Sequence, residues 1–82
     1  MPNCDELLTN ARNNPKGVRF VDACALATCF GWVFARSRGS HHIYKRPAQM
    51  KVMVFQDANG MAKDYQVRQL LRAIDESSEE AR

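Results

Sequence analysis

Two adjacent histidines stand in the middle of this chain, in the run Gly39-Ser40-His41-His42. An unperturbed imidazole titrates near ~6.5, so it can take or give a proton at neutral pH. The surroundings are cationic. Between Arg36 and Lys51 lie five bases (Arg36, Arg38, Lys45, Arg46 and Lys51) and no acid. Guanidinium groups grip phosphate oxygens in pairs. Backbone amides in a tight turn at Gly39 and Ser40 would add donors for the same kind of oxygen. An acid-free block of this composition points to a polyanion or to an acidic partner. A solvated, arginine-rich sheet face is the other reading, and composition does not decide between them.

Other chemistries have less to build on. Asp57 and Asp64 are seven residues apart across a turn and make no convincing carboxylate pair. The chain has no phosphate-binding glycine loop, nucleophile elbow or metal motif. Neither a metal nor a small-molecule cofactor is therefore expected. Cys24 and Cys29 would need a second pair of ligands to hold zinc, and His41 and His42 are the only histidines. The odd count of three cysteines, with Cys4 the third, is expected to reflect reduced thiols in a cytoplasmic protein.

At 82 residues there is room for one small domain, and a two-domain cofactor enzyme is excluded. Lys and Arg outnumber Asp and Glu by 12 to 9, a net charge of +3. The surplus is local, since Asp75 to Arg82 holds four acids and one base. The domain is expected over residues 1–76, with 77–82 as a frayed acidic tail. No apolar run approaches the ~18 residues of a membrane span. Asp5 and Glu6 stand where a secretory signal would carry positive charge, so no such signal is expected.

These side chains need a scaffold. Leu7, Leu8 and Ala11 predict a first helix over 3–14, capped by Asn3 or Asp5 and ended by Asn13-Asn14-Pro15-Lys16-Gly17. A second helix is predicted from Asp22 to Phe30, ending at Gly31. The period then changes to two. Residues 32–38 and 40–46 predict a hairpin turning at Gly39, and Met50 to Gln56 a third strand. Val67, Leu70, Leu71 and Ile74 mark a last helix beginning near Asp64. The order α-α-β-β-β-α suits an α+β domain in two layers, of the double-stranded-RNA-binding type, with a three-stranded antiparallel sheet and helices on one face.

Strand parity sorts the side chains. If Trp32, Phe34 and Tyr44 face the helices, His42 joins them, and His41 falls on the open face with Ile43 and Lys45. Lys51 is expected on that open face too. Simple alternation puts Arg36 and Arg38 on the helix side, their stems reaching past the sheet edge. A bulge at Gly39-Ser40 would invert the assignment. Trp32, Tyr44, Met50 and Met53 are expected to pack in the core.

The stretch from Gly31 to Tyr44 resembles the HicA family, the toxin half of a bacterial type II toxin–antitoxin system. That pattern is a glycine and an aromatic, a strand ending in arginine, then Gly-Ser-His and an aromatic three residues on. Arg19-Phe20 and Ala62-Lys63-Asp64-Tyr65-Gln66-Val67-Arg68-Gln69-Leu70-Leu71 resemble the longer branch of the family. The third strand departs from the short form, with Val54-Phe55-Gln56 in place of a Pro-His pair. The resemblance implies a small endoribonuclease that cuts mRNA without a metal and is neutralised by a HicB-type antitoxin. It also implies that His41 is catalytic.

Such cleavage needs a base for the 2′-hydroxyl, cations or donors for the phosphorane, and an acid for the leaving 5′-oxygen. His41 is the candidate for proton transfer. Arg36, Arg38, Gly39, Ser40, Lys45, Arg46 and Lys51 are the candidates for RNA contact. A non-catalytic RNA- or protein-binding module of the same fold is the alternative.

Overall fold

A computed structural model of the protein describes residues 2–47 and 49–80. Three helices and three strands follow one another as α1 (Cys4–Asn13), α2 (Phe20–Cys29), β1 (Val33–Arg38), β2 (His41–Arg46), β3 (Gln49–Gln56) and α3 (Asp64–Glu80). A short 3-10 turn at Pro15–Gly17 links α1 to α2. The strands form one antiparallel sheet in the order β1-β2-β3, so the predicted α+β order is the observed one.

Local chemistry sets the element ends. Asn3 caps α1, its side-chain oxygen accepting from the Glu6 N–H at 2.8 Å. Gly39 sits at φ +58° at the first position of the two-residue β1–β2 turn, a conformation that favours glycine. Asn59 and Gly60 both take positive φ in the turn after β3, as a tight Asn-Gly hairpin requires.

The core lies between one sheet face and the helices. Leu26, Trp32, Phe55, Val67 and Leu70 are almost wholly enclosed, with Leu7 and Ala11 of α1 and Tyr44 and Met53 of the sheet around them. Packing of Trp32, Tyr44 and Met53 is as expected; the side chain of Met50 lies outside the described residues. Burial pushes the Cys24 thiol above its usual range, against a hydrogen bond shared with Tyr44 that lowers it. Tyr44 is pushed up by the same burial.

One expectation changes here. Cys4 and Cys29 form a disulfide, so only Cys24 is a free thiol. The first helix folds back along the second and brings the start of α1 to the end of α2, a juxtaposition that no spacing within one helix reveals. Arg12 adds a second tie from α1, a forked ion pair to Asp75 of α3 with its shorter contact at 2.7 Å. At the C-terminus, α3 spans Asp64–Glu80. Glu76 pairs with Lys51 at 2.9 Å, and the Ser77 hydroxyl accepts a hydrogen bond from Arg46. Both contacts anchor the last turns to the sheet. Residues 81 and 82 lie outside the described residues. No described helix is long and apolar enough to cross a membrane.

Candidate functional site

The helices leave the other sheet face bare, and the strand register decides which side chains stand on it. Directly paired residues point the same way. Across the three strands, one row is Arg38, His41 and Gln56. The next is Arg36, Ile43 and Val54, and the third is Val33, Lys45 and Val52. On the opposite face run Ser37, His42 and Phe55, then Phe34, Tyr44 and Met53. Phe55, Tyr44 and Met53 are buried, so the second set faces the helices.

The two histidines are thereby separated. His42 packs edge to face on Phe20 of α2, with ring centroids 4.8 Å apart, and lies 5.6 Å from Phe34. His41 is exposed on the bare face.

Simple alternation placed Arg36 and Arg38 on the helix side, and the structure corrects this. The β1–β2 register slips between Phe34 and Arg36, leaving Ala35 as an extra residue. Such a bulge shifts everything after it to the other face. Phe34 stays with Tyr44, while Arg36 and Arg38 move to the bare face beside Ile43 and His41. The inverting bulge is in β1, not at Gly39-Ser40, and it joins the arginines to His41 without moving His41.

Lys51 is also corrected. It was expected on the open face, but its neighbour Val52 occupies that face opposite Lys45. Lys51 therefore points to α3 and pairs with Glu76. Arg46, one residue past Lys45, also turns inward. Its guanidinium carbon lies 5.9 Å from the centre of the Trp32 ring and its Nη1 donates to Ser77. The structure thus brings Arg36, Arg38 and Lys45 to the face of His41, with Gly39 and Ser40 in the turn at its end, and sets Arg46 and Lys51 apart. Arg36, Arg38 and Lys45 are exposed and form no ion pair with a described residue.

The hairpin end is braced from β3. The Asp57 N–H donates to the Ser40 carbonyl at 2.9 Å. One residue back, the Gln56 N–H points away from β2 and donates to Oε1 of Gln66 at 2.8 Å. Gln66 is only 4% exposed, the one buried polar or charged side chain among the described residues. Gln56 and Gln66 were not among the residues singled out from sequence. The usable signal was a polar residue inside the apolar stripe of α3, between Asp64 and Val67.

The face is not purely polar. Val33 and Val52 are 57% and 55% exposed, with Ile43 and Val54 half-buried between them. No described group of three or more His, Cys, Asp or Glu side chains is arranged to hold a metal. The arrangement offers a proton-transfer group, cations for phosphate and apolar surface for a partner.

Comparison with curated proteins and with solved structures gave no match. A family profile described as the HicA toxin of bacterial toxin–antitoxin systems matches residues 22–75, about two thirds of the chain. The matched span runs from the first turn of α2 through the sheet to α3, and so includes the whole bare face. The chain belongs to the HicA toxin family, and as such is a toxin with a cognate antitoxin.

Proposed function

We propose that this toxin is an endoribonuclease that cuts mRNA at the bare sheet face with His41, and that a HicB-type antitoxin neutralises it by covering that face. The observation that carries the reading is the position of His41: exposed, directly across the hairpin from Arg38, on a face shared with Arg36 and Lys45, which have no ion-pair partner among the described residues.

His41 accepts the proton of a ribose 2′-hydroxyl, and the 2′-oxygen attacks the adjacent phosphorus. Arg36 and Arg38 stabilise the negative charge of the phosphorane, with backbone amides at Gly39 and Ser40 as further donors. The P–O5′ bond then breaks, and the 5′-oxygen takes up a proton. The products are a 2′,3′-cyclic phosphate and a 5′-hydroxyl. One positioned proton-transfer group contributes about 10²–10⁴-fold, which suits a modest nuclease. A specific observation also favours a protein partner here: the apolar strip of Val33, Ile43, Val52 and Val54 among the cations gives an antitoxin something to bury.

Expression in a bacterial host tests the reading. The wild-type chain is expected to arrest growth with loss of full-length mRNA, and co-expression of the cognate antitoxin to restore growth. His41→Ala is expected to leave growth unaffected. Arrest by His41→Ala equal to that of the wild type would refute the assignment.

A further inference from the structure

We propose that Tyr65 forms a base-stacking subsite at the rim of the bare face, its ring holding the base of a nucleotide that flanks the bond cut at His41. This deepens the nuclease reading and rests on it.

Proteins hold the bases of single-stranded RNA chiefly by stacking them on flat rings, while cations hold the phosphates. The bare face supplies the cations Arg36, Arg38 and Lys45. Apart from His41 itself, the rows of that face contain no ring; the rest is Gln56 and aliphatic side chains. A platform for a base must therefore come from the rim. Two of the large exposed hydrophobic residues are aromatic, Phe34 and Tyr65. Phe34 points to the helix side, where its ring meets those of His42 and Tyr44. Tyr65 is 54% exposed, stays outside the core and stacks on no described aromatic ring.

The fold fixes Tyr65 at the rim next to His41. Gln69, one turn further along α3 and on the same stripe, lines a cleft against Val52 and Met53 of β3. Tyr65 therefore stands over the outer edge of β3. The buried Gln66 carboxamide ties it there. Its Oε1 accepts the Gln56 N–H at 2.8 Å, and its Nε2 donates to the Tyr65 hydroxyl at 3.4 Å. One carboxamide thus links the phenol to the backbone of Gln56, which pairs directly with His41 on the next strand. Adjacent strands lie about 5 Å apart, so a strand of RNA cut at His41 passes Tyr65 as it leaves the sheet across β3. A side chain already tethered loses little freedom when a base settles on it.

The test uses Tyr65→Leu, which keeps apolar bulk but removes the flat ring, and Tyr65→Phe, which keeps the ring and loses the tether. Affinity for a single-stranded RNA is read on the full chain in a His41→Ala background, over a salt series, with each base in turn replaced by an abasic site. Tyr65→Leu is expected to weaken binding about 5- to 100-fold, the usual cost of one lost stack. Its salt slope should not change, because stacking releases no counterion. Tyr65→Phe should stay within about threefold. One abasic position should weaken binding to the Tyr65 protein and add nothing in Tyr65→Leu, as two halves of one contact must. Unchanged affinity in Tyr65→Leu would overturn the proposal, as would abasic losses that add in full at every position. A loss in Tyr65→Phe equal to that in Tyr65→Leu would also overturn it, since the hydroxyl and not the ring would then matter. Weakened antitoxin binding with intact RNA affinity would make Tyr65 a protein contact and overturn it too. Cleavage that depends on His41, with RNA affinity indifferent to Tyr65, overturns this inference alone. Absence of RNA binding at low salt by a folded His41→Ala overturns the nuclease reading and this inference with it.

Discussion

Phe20 and His42 meet edge to face with their ring centroids 4.8 Å apart, joining the start of α2 to the helix side of β2. Aromatic pairs of this kind contribute about 0.5–1.5 kcal/mol beyond the area they bury. His42→Ala is therefore expected to lower the unfolding free energy by about 1–2 kcal/mol while the protein keeps its chemistry below its melting temperature. Urea titration gives the first quantity, and RNA cleavage at low temperature the second. A variant as stable as the wild type but inactive would reverse the roles assigned to the two histidines.

Arg36, Arg38 and Lys45 stand on the face of His41 and form no ion pair with a described residue. Each phosphate neutralised on a single strand contributes about −0.7 to the log–log salt slope of affinity, so three contacts give a slope near −2. Charge reversal at Arg38 or Lys45 is expected to reduce that slope by about one unit and to weaken binding evenly across sequences. Lys51→Glu should leave the slope nearly intact, because Lys51 faces Glu76. Fluorescence anisotropy over a salt series separates these cases. Equal slope changes for Lys45 and Lys51 would contradict the division of the two faces.

The Cys4–Cys29 bond closes a loop with a sequence separation of 25. Chain-entropy arguments give such a link about 3 kcal/mol of stability. Reduction, or Cys4→Ser, is expected to lower the melting temperature by about 12–24 °C, given the usual conversion for a chain of this size. Melting with and without reductant checks this, with intact mass reporting the two hydrogens gained. Coincident melting curves for the oxidised and reduced protein would show that the bond does not constrain folding.

Asp75 is held below the usual carboxylate range by the Arg12 side chain that hydrogen-bonds it, and the Arg12 guanidinium is raised in turn. A depressed carboxyl contributes stability that is present above its unfolded value, near ~3.9, and is lost as pH falls through the folded value. Both groups are largely exposed, so salt screens the pair and the effect is small. Wild type is expected to lose stability relative to Asp75→Asn below about pH 4 and to differ from it little in high salt at any pH. Urea midpoints across pH 2–7 provide the comparison. A stability difference that grows on acidification would have the wrong sign.

Much of this fold was legible because its elements carry strong local signals. Leu70, Leu71 and Ile74 gave α3, Gly39 gave the hairpin, and Asn59-Gly60 gave the last turn. The separation of His41 from His42 followed from strand parity alone. Arg36 and Arg38 were misplaced because parity cannot register a bulge, and Ala35 carries no glycine or proline to mark one. The face of Lys51 and the state of the two bridged cysteines were missed for a different reason. Lys51 pairs with Glu76 and Cys4 with Cys29, partners from distant segments, and such tertiary contacts leave no trace in spacing. Gln66 reads in sequence as one polar residue of the Ala62–Leu71 stretch; its role depends on the outer edge of β3, which exists only in the folded sheet.

Single-turnover cleavage of a defined mRNA by purified wild type and His41→Ala, run in EDTA with the product ends identified, tests the central claim most directly. The account predicts cleavage by the wild type in the chelator, leaving 2′,3′-cyclic phosphate and 5′-hydroxyl ends, and none by a fully folded His41→Ala. Equal cleavage by the two proteins, or a wild-type activity that vanishes in EDTA, would contradict it.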